Sequence, residues 1–474
     1  MAEHHTCVVV GAGISGLAAA WWLQKAGVDV LVLEGSTRAG GTMQTLHEEG
    51  WTVESGPNSA LETTPLFREL FADLGLESEV IYASDQADKR FILRDRKLHT
   101  LPLTPPAFLA SRLWSLRGKT RLLGDLFVGR APQEETVAQF VTRRLGREFL
   151  DYAIDPFVAG VFAGDPSRLS VRAAFPKLYA LEARYGGLIK GQILGARERK
   201  KRAEKAKDRA RLFSFRSGMS AFPAAIASKL HNNVRTAASV ERIDRQHRNG
   251  LSTVWKVGYT SGRTRHEIEA ETLVLSIPAY AAAGLLAPLD PKLADALSSI
   301  YYPPVVEIFL GYDSTSAGIP LDGFGFLIPG KERRQILGTI WTSSIFPGRA
   351  PEGSVALTTF VGGSRQPEMA GRTDAEIVQT VQDELRDILK MSGKPTFVKV
   401  TRWQRAIPQY HLGHLSFVGE VEKFEQRTPG IFLGGNYRGG ISVGDCVMSA
   451  NALATRVAAS QAEGGRRLPL MVSN

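Results

Sequence analysis

Three glycines and one carboxylate are the first residues in the chain whose types and spacing suggest chemistry. Val8-Val9-Val10 runs directly into Gly11-Ala12-Gly13-Ile14-Ser15-Gly16-Leu17. A β-branched run, closely spaced glycines and then helix formers read as strand, tight turn and helix start. Gly11 permits the turn, Gly13 lets backbone approach a pyrophosphate, and Gly16 lets the helix pack closely on the strand. The backbone of Ala12, Ile14 and Ser15 completes the cradle, and the open helix N-terminus favours phosphate. Val28–Leu33 reads as a second strand ending in Glu34-Gly35, roughly 20 residues on, where a carboxylate accepts ribose hydroxyls. The spacing predicts a site for the ADP half of a dinucleotide, a fingerprint that FAD and NAD proteins share.

The elements that must hold this site are legible on both sides of a long interruption. A helix is expected near Thr64–Leu74 and another at Met219–Leu230, with strands at Trp255–Tyr259 and Thr272–Ser276. Further strands are expected at Glu307–Tyr312, Val355–Val361 and Thr396–Thr401, with a helix around Asp374–Met391. The chain ends in a strand, Ile431–Leu433, a glycine-rich turn and a helix from about Val443 to Glu463. Strand–helix alternation at both ends predicts an α/β domain interrupted by insertions.

A chain of 474 residues has room for roughly three domains. Cys7 and Cys446 are the two cysteines, too few for a disulfide framework and without metal-ligand spacing, which fits a reducing compartment. No metal site is expected; His4 and His5 read as a solvated terminus. Cys7–Leu23 is uncharged, but its glycines and its change from β-branched to helix-forming residues mark it as strand and helix, not a membrane span. The N-terminal residues lack a signal-peptide pattern. The net charge is +10, and Leu101–Ser220 alone holds 23 Lys+Arg against 11 Asp+Glu. One segment therefore owns the basicity, and without a binding motif beside it nucleic acid is not an expected partner.

Two further motifs separate FAD from NAD. Arg38-Ala39-Gly40-Gly41-Thr42 resembles the second signature of the flavin-dependent amine-oxidase-like superfamily. Gly434-Gly435-Asn436-Tyr437 and Gly439-Gly440-Ile441-Ser442-Val443-Gly444-Asp445 resemble the turn and helix start that lie against the flavin there. The resemblance implies non-covalent FAD, with Asp445 near the ribityl and pyrophosphate region.

More specific motifs run in order along nearly the whole chain. They are Glu54-Ser55-Gly56-Pro57-Asn58-Ser59, Asp165-Pro166 with Leu169-Ser170, Phe213-Ser214-Phe215 with Gly218-Met219, and Gly323-Phe324-Gly325-Phe326-Leu327-Ile328-Pro329. Phe346-Pro347 with Arg349-Ala350-Pro351, Pro408-Gln409-Tyr410 with Gly413-His414, and Ser442 to Cys446 follow. Together they resemble the protoporphyrinogen oxidase family, including the coproporphyrinogen III oxidases. The segments Ala174–Leu178 and Tyr185–Ile189 are most similar to its oxygen-dependent bacterial and plastid type.

The resemblance implies a fold that is α/β and α+β. Its parts would be a discontinuous Rossmann-like FAD-binding domain (1–82, 212–285, 429–474), a mixed-sheet substrate domain (83–92, 286–428) and a helical, basic, membrane-associating insertion (93–211). It implies six-electron oxidation of a porphyrinogen, with oxygen reoxidising the flavin and forming hydrogen peroxide. No side chain is assigned as a catalytic base; backbone carbonyls of Val161–Gly164 match a segment proposed to handle protons. Gly56, Pro57, Asn58 and Ser59 carry over as cofactor contacts, Asn58 lying near the reacting face, and Val240 matches a strand whose backbone meets adenine. Arg90 matches the position that pairs with a substrate propionate. Leu327, Trp341 and Phe346 are candidate pocket walls, each equally readable as core, and Trp403 as a residue near the flavin or plain core.

Pro105–Val128 reads as an amphipathic helix with Trp114 and a basic face of Arg112, Arg117, Lys119 and Arg121, suited to an anionic membrane surface. The expected location is cytoplasmic, peripherally bound to the inner face of the membrane. Arg197–Arg211 reads as a solvated helix with Glu198–Arg202 and Glu204–Asp208 at i,i+4. A homodimer is left open by the sequence. So is the choice of substrate: protoporphyrinogen first, coproporphyrinogen next, and more remotely an amine oxidase or a non-catalytic escort-type relative.

Overall fold

In the computed structural model of the chain, residues 3–202, 210–248 and 252–465 are described. The i,i+4 pairs expected in Arg197–Arg211 lie outside the residues whose side chains are described.

The central strand Glu3–Val10 runs parallel to Val30–Leu33 on one side and to Thr264–Leu275 on the other. Val234–Arg235 extends the parallel run beyond Val30–Leu33, and Ile431–Leu433 pairs with Leu273–Leu275. The antiparallel strands Ser252–Ser261 and Ala238–Arg248 complete a seven-stranded mixed sheet. Where the parallel strands run through the centre of the sheet, at Cys7–Val10, Val30–Leu33, Leu273–Leu275 and Ile431–Leu433, every residue is apolar and buried because both faces are covered. Cys7 and Val9 face a core built with helices Ile14–Lys25, Ala221–Leu230 and Val443–Gly465, whereas Val8 and Val10 face Trp255, Val257 and the helices Ala279–Leu286 and Pro291–Ser298. Ala18 and Ala19 pack on Ala450, small residues that let the first and last helices approach closely.

A second seven-stranded sheet runs in the order Phe397–Trp403, Val305–Asp313, Ser354–Gly362, Gly338–Ile340, Gly325–Leu327, Arg90–Arg94 and Lys97–Thr100. Only the pairing of Gly325–Leu327 with Arg90–Arg94 is parallel within it. Helix Asp374–Leu389 covers one face through Ile377, Val381, Leu385 and Ile388, a stripe at helical spacing. Thr373 and Glu376 form a capping box at its start. The fold is thus mixed α/β with several mixed sheets, as expected.

The sequence between the two sheets' strands is largely helical, and here one expectation is corrected. Pro105–Val128 is not one amphipathic helix. It breaks into helices Pro105–Ala110 and Leu116–Arg121 and a 3-10 turn, Leu122–Leu126. Thr104 and Ser115 each accept a backbone N–H of the following turn, so each piece starts with its own cap. Leu113 and Trp114 turn inward, Trp114 stacking on Phe149 at 5.3 Å, while Leu109, Leu116, Leu123 and Phe127 stay exposed. Among the described residues no helix is long and apolar enough to cross a membrane.

Candidate functional site

The first and third glycines of the opening motif are required by the protein itself. Gly11 has φ +103°, and a Cβ there would sit 2.4 Å from the Ser276 carbonyl oxygen. A Cβ on Gly16 would lie 1.9 Å from the Gly11 carbonyl oxygen. Gly13 differs: its φ of −70° suits any residue, and a Cβ there would meet nothing within 4 Å. It caps helix Ile14–Lys25, whose first turn has neither a side-chain cap nor an acidic residue. An uncapped helix start with open space before it is fit to receive an anion.

Glu34 is held beside this opening. Its Oε2 accepts the Ala12 N–H at 2.7 Å, and its Oε1 accepts the Ser36 N–H at 2.9 Å and the Ser36 hydroxyl at 2.8 Å. The carboxylate therefore braces the glycine turn, a duty the ribose reading did not include. Gly35 rests against Ser239, and the Ala238 N–H donates to the Glu34 carbonyl, which brings Val240 to the same edge.

The distant motifs converge here. The Gly40 N–H donates to the Ala12 carbonyl at 2.8 Å, and Arg38 donates to the Gly41 carbonyl at 3.2 Å. Gly56 packs so tightly on Thr42 that a Cβ would stand 2.1 Å from its carbonyl oxygen. The chain then passes Pro57, Asn58 and Ser59 to Thr63, which abuts Gly444. The Ser442 hydroxyl accepts the Asp445 N–H at 3.1 Å and donates to Asp445 Oδ2 at 2.6 Å, capping the last helix. Cys446 is hydrogen-bonded to Ser15, so the starts of the first and last helices lie side by side. Ile441 packs against the helical insertion, and Val443 against the core of the first sheet.

At this meeting point a carboxyl of the second sheet is buried against the Gly56–Asn58 loop. Glu307 accepts the Gly56 N–H at 3.0 Å and the Asn58 side-chain N–H at 3.1 Å. Burial pushes its pKa up to about 8, and neighbouring Glu54 pushes the same way. Glu54 is also raised by burial, but it accepts Thr45 and Met219 and pairs with buried Arg349 at 3.6 Å. Glu307 was missed in the sequence, although a lone charge in Val305-Val306-Glu307-Ile308-Phe309-Leu310 is a visible signal.

The residues expected to meet substrate divide. Arg90 is exposed at the start of its strand, opposite Gly325, with its guanidinium 5.1 Å from the Phe324 ring centroid. Asp88 is its charged neighbour, but the guanidinium forms no hydrogen bond or salt bridge with the described residues. Leu327 is half-buried and packs on Gly160 of the insertion. Trp341 and Phe346 are instead core. Trp341 is 1% exposed and packs at a tilt against Phe91, while Phe346 packs with Ile81, Ala87 and Ile345. Trp403 ends its strand opposite Val305, with a buried ring nitrogen that has no partner. In Val161–Gly164 two carbonyls are already engaged: Gln409 donates to Phe162 at 2.8 Å, and the Ser364 N–H donates to Ala163 at 2.7 Å.

This arrangement was compared with known proteins. A family model for flavin containing amine oxidoreductases matches residues 14–458. The chloroplastic protoporphyrinogen oxidase of Oryza sativa subsp. japonica is 37% identical over 477 residues, covering 95% of this chain and 88% of the relative. The chain belongs to the protoporphyrinogen oxidase family, within the flavin containing amine oxidoreductases. The coproporphyrinogen III oxidase of Bacillus subtilis (strain 168) is 27% identical over 465 residues, covering 94% of this chain and 96% of the relative. A crystal structure of a candidate protoporphyrinogen oxidase from Exiguobacterium sp. 255-15 superposes with a TM-score of 0.80 at 22% identity, covering 97% of this chain and all of that one.

A member of this family is a flavin-dependent oxidoreductase, and the residues present fit that cofactor. Open space stands beside Gly13 at an uncapped helix start, and the buried Asn58 Oδ1 and Thr63 Oγ1 have no hydrogen-bond partner among the described residues.

Proposed function

We propose that the chain oxidises protoporphyrinogen IX to protoporphyrin IX with non-covalently held FAD, using oxygen as acceptor and releasing hydrogen peroxide. When bound, the flavin supplies the redox chemistry, taking electrons in pairs from the macrocycle. The protein's task is to bind, orient and exclude water. Glu34 would take the ribose hydroxyls, the Gly13–Ser15 backbone the pyrophosphate, and Asp445 the ribityl region. Asn58 would face the reacting edge.

The observation that carries the substrate class is Arg90. Its neighbours in charge are spent: Lys89 is paired with Asp322, and Arg94 with Glu148. Arg90 is left with the Phe324 ring, the nearby charge of Asp88 and no hydrogen-bonded or salt-bridged partner among the described residues, a cation available to an anionic edge group of an otherwise apolar ligand. Arg90 by itself does not separate protoporphyrinogen from coproporphyrinogen, which carries additional propionates; we favour the former. The higher identity to the plant protoporphyrinogen oxidases supports the same choice.

The exposed Leu109, Leu116, Leu123 and Phe127 lie on a basic segment, a combination that favours an anionic membrane surface. We place the protein at the cytoplasmic face of a membrane on that basis. The deciding measurement supplies purified enzyme with each porphyrinogen and follows porphyrin fluorescence and peroxide together. Protoporphyrin with matching peroxide is expected. Coproporphyrin alone would reassign the substrate, and neither product would overturn the reading. Cosedimentation with anionic vesicles, absent for neutral ones, checks the membrane surface.

A further inference from the structure

Asn58 carries a side-chain amide whose direction is fixed from behind. Its Nδ2 donates to Glu307 Oε1 at 3.1 Å and to the Gly56 carbonyl at 3.2 Å. With Glu307 ionised, a half-turn of the amide would set its oxygen against two other oxygens, so the carboxylate form of the network decides which atom faces where. The other end, Oδ1, is buried and has no partner among the described residues. A buried acceptor left unmatched is unfavourable unless something absent from the chain supplies the donor.

The expense of this arrangement falls on Glu307. It lies in the interior strand Val305–Asp313, flanked on both sides by strands Ser354–Gly362 and Phe397–Trp403, and it faces no cation in a salt bridge among the described residues. Its two contacts are both donors from the Gly56–Asn58 loop. That loop packs on Thr42, beside the glycine turn, and leads to Thr63, beside Gly444, so it lies between the two glycine-rich turns and the second sheet.

We propose that Glu307 is a positioning residue that locks the Asn58 amide so that Oδ1 is presented to an N–H donor of the reacting pair, either a pyrrole N–H of the substrate or an N–H of the flavin. This rests on the functional reading above. Protonation of Glu307, or its replacement by glutamine, places a donor opposite Asn58. The carboxylate's hold on Nδ2 is then lost, the Gly56 carbonyl is left to hold the amide, and Oδ1 is no longer firmly fixed toward the reacting pair. Glu54 is the charged group that bears on Glu307 from the strand Trp51–Ser55, itself paired with Arg349.

The test measures single-turnover flavin reduction in the wild type, Glu307→Gln, Asn58→Ala and the double variant, all purified with cofactor. Glu307→Gln is expected to slow reduction about tenfold to a hundredfold, and the double variant to be no slower than Asn58→Ala alone. A raised KM with unchanged flavin potential assigns the donor to the substrate; a shifted potential or flavin spectrum assigns it to the cofactor. Unchanged kinetics and spectrum in Glu307→Gln, or defects that multiply in the double variant, overturn the proposal. If Glu307→Gln does not yield folded protein, Glu307→Asp, which withdraws the same charge by one methylene, enters the same cycle. If the wild type oxidises neither porphyrinogen, the functional reading fails, whereas flavin potential and spectrum still report whether Glu307 acts through Asn58.

Discussion

The hydroxyl of Tyr410 accepts the backbone N–H of Gly440 at 3.0 Å. The same oxygen donates to the Asn436 carbonyl at 2.5 Å, so one buried side chain ties both ends of the glycine-rich turn before the last helix. Burial raises the phenol's pKa, so it stays a donor. Tyr410→Phe keeps the ring stack on His414 but leaves the Asn436 carbonyl and the Gly440 N–H without this partner. A loss of about 1–3 kcal/mol is expected, together with faster flavin release. Denaturant unfolding and flavin fluorescence on dilution read the two effects. A variant as stable as the wild type that still holds flavin would show that the turn stands without this clasp.

Gly13 and Gly16 make a discriminating pair. Gly13→Ala places its methyl in open space at an ordinary backbone angle, so the fold should tolerate it while dinucleotide affinity falls about tenfold or more. Gly16→Ala drives a methyl against the Gly11 carbonyl and should destabilise the apoprotein itself by several kcal/mol, roughly the scale of a core overpacking. Apoprotein melting temperature and flavin titration separate the two. Equal melting losses for both variants would remove Gly13 from the phosphate site.

Glu34 acts on the protein and on the ribose at once. Glu34→Ala removes the acceptor of the Ala12 and Ser36 N–H groups, so flavin retention and apoprotein stability should both fall. Glu34→Gln keeps an acceptor and should cost less, on the order of 1 kcal/mol in stability, while still weakening the cofactor. Gel filtration with absorbance at the flavin band checks this. Full retention in Glu34→Ala would argue against the ribose contact.

The parts of the site written in adjacent residues were legible in the sequence, and the parts assembled across the chain were not. Gly11, Gly13, Gly16 and Glu34 belong to one strand–helix–strand unit whose spacing is fixed by local geometry. Ile431–Leu433 was found to the residue because its β-branched and apolar run stands between turns. Glu307 meets Asn58 across 249 residues and Gly56 across 251, a distance over which no periodicity speaks. Trp341 and Phe346 show the converse: apolar size is common to pocket walls and to core, and only packing tells them apart. In Pro105–Val128 the alternation of apolar and basic residues looked helical, but Thr104 and Ser115 start separate turns that the amphipathic pattern concealed.

Arg90→Ala should raise KM for the porphyrinogen about tenfold or more and leave flavin reduction at saturation nearly unchanged. An edge anchor holds ground state and transition state alike, so its loss appears in binding. Stability should hardly move, because among the described residues the guanidinium has no hydrogen bond or salt bridge to lose and bears on the Phe324 ring and nearby Asp88. Steady-state and rapid-mixing kinetics on one preparation decide it. An unchanged KM would remove Arg90 from the substrate site.

Acid should loosen the same region through two histidines. Burial lowers His414 to about 4, with His411 adding to the effect while a hydrogen bond it donates to the Tyr437 backbone carbonyl and the charge of Glu134 oppose it. Burial likewise lowers His411 to about 4, Arg168 assisting and Asp165 opposing. In the unfolded chain each binds a proton as pH falls through about 6.5, but in the folded protein neither does so until about 4. The unfolded state therefore holds more protons between these values, and stability falls as pH drops from about 6.5 to 4. Glu307 acts with the opposite sign. Its raised pKa makes a contribution that is full below about 4.5 and is lost as pH rises toward 8. Removing one histidine isolates its share. His414→Phe keeps an aromatic ring against Tyr410, so its melting temperature should fall less than that of the wild type between pH 6.5 and 4, with the two curves parallel above pH 7. Parallel curves throughout would show that His414 does not set the acid limb.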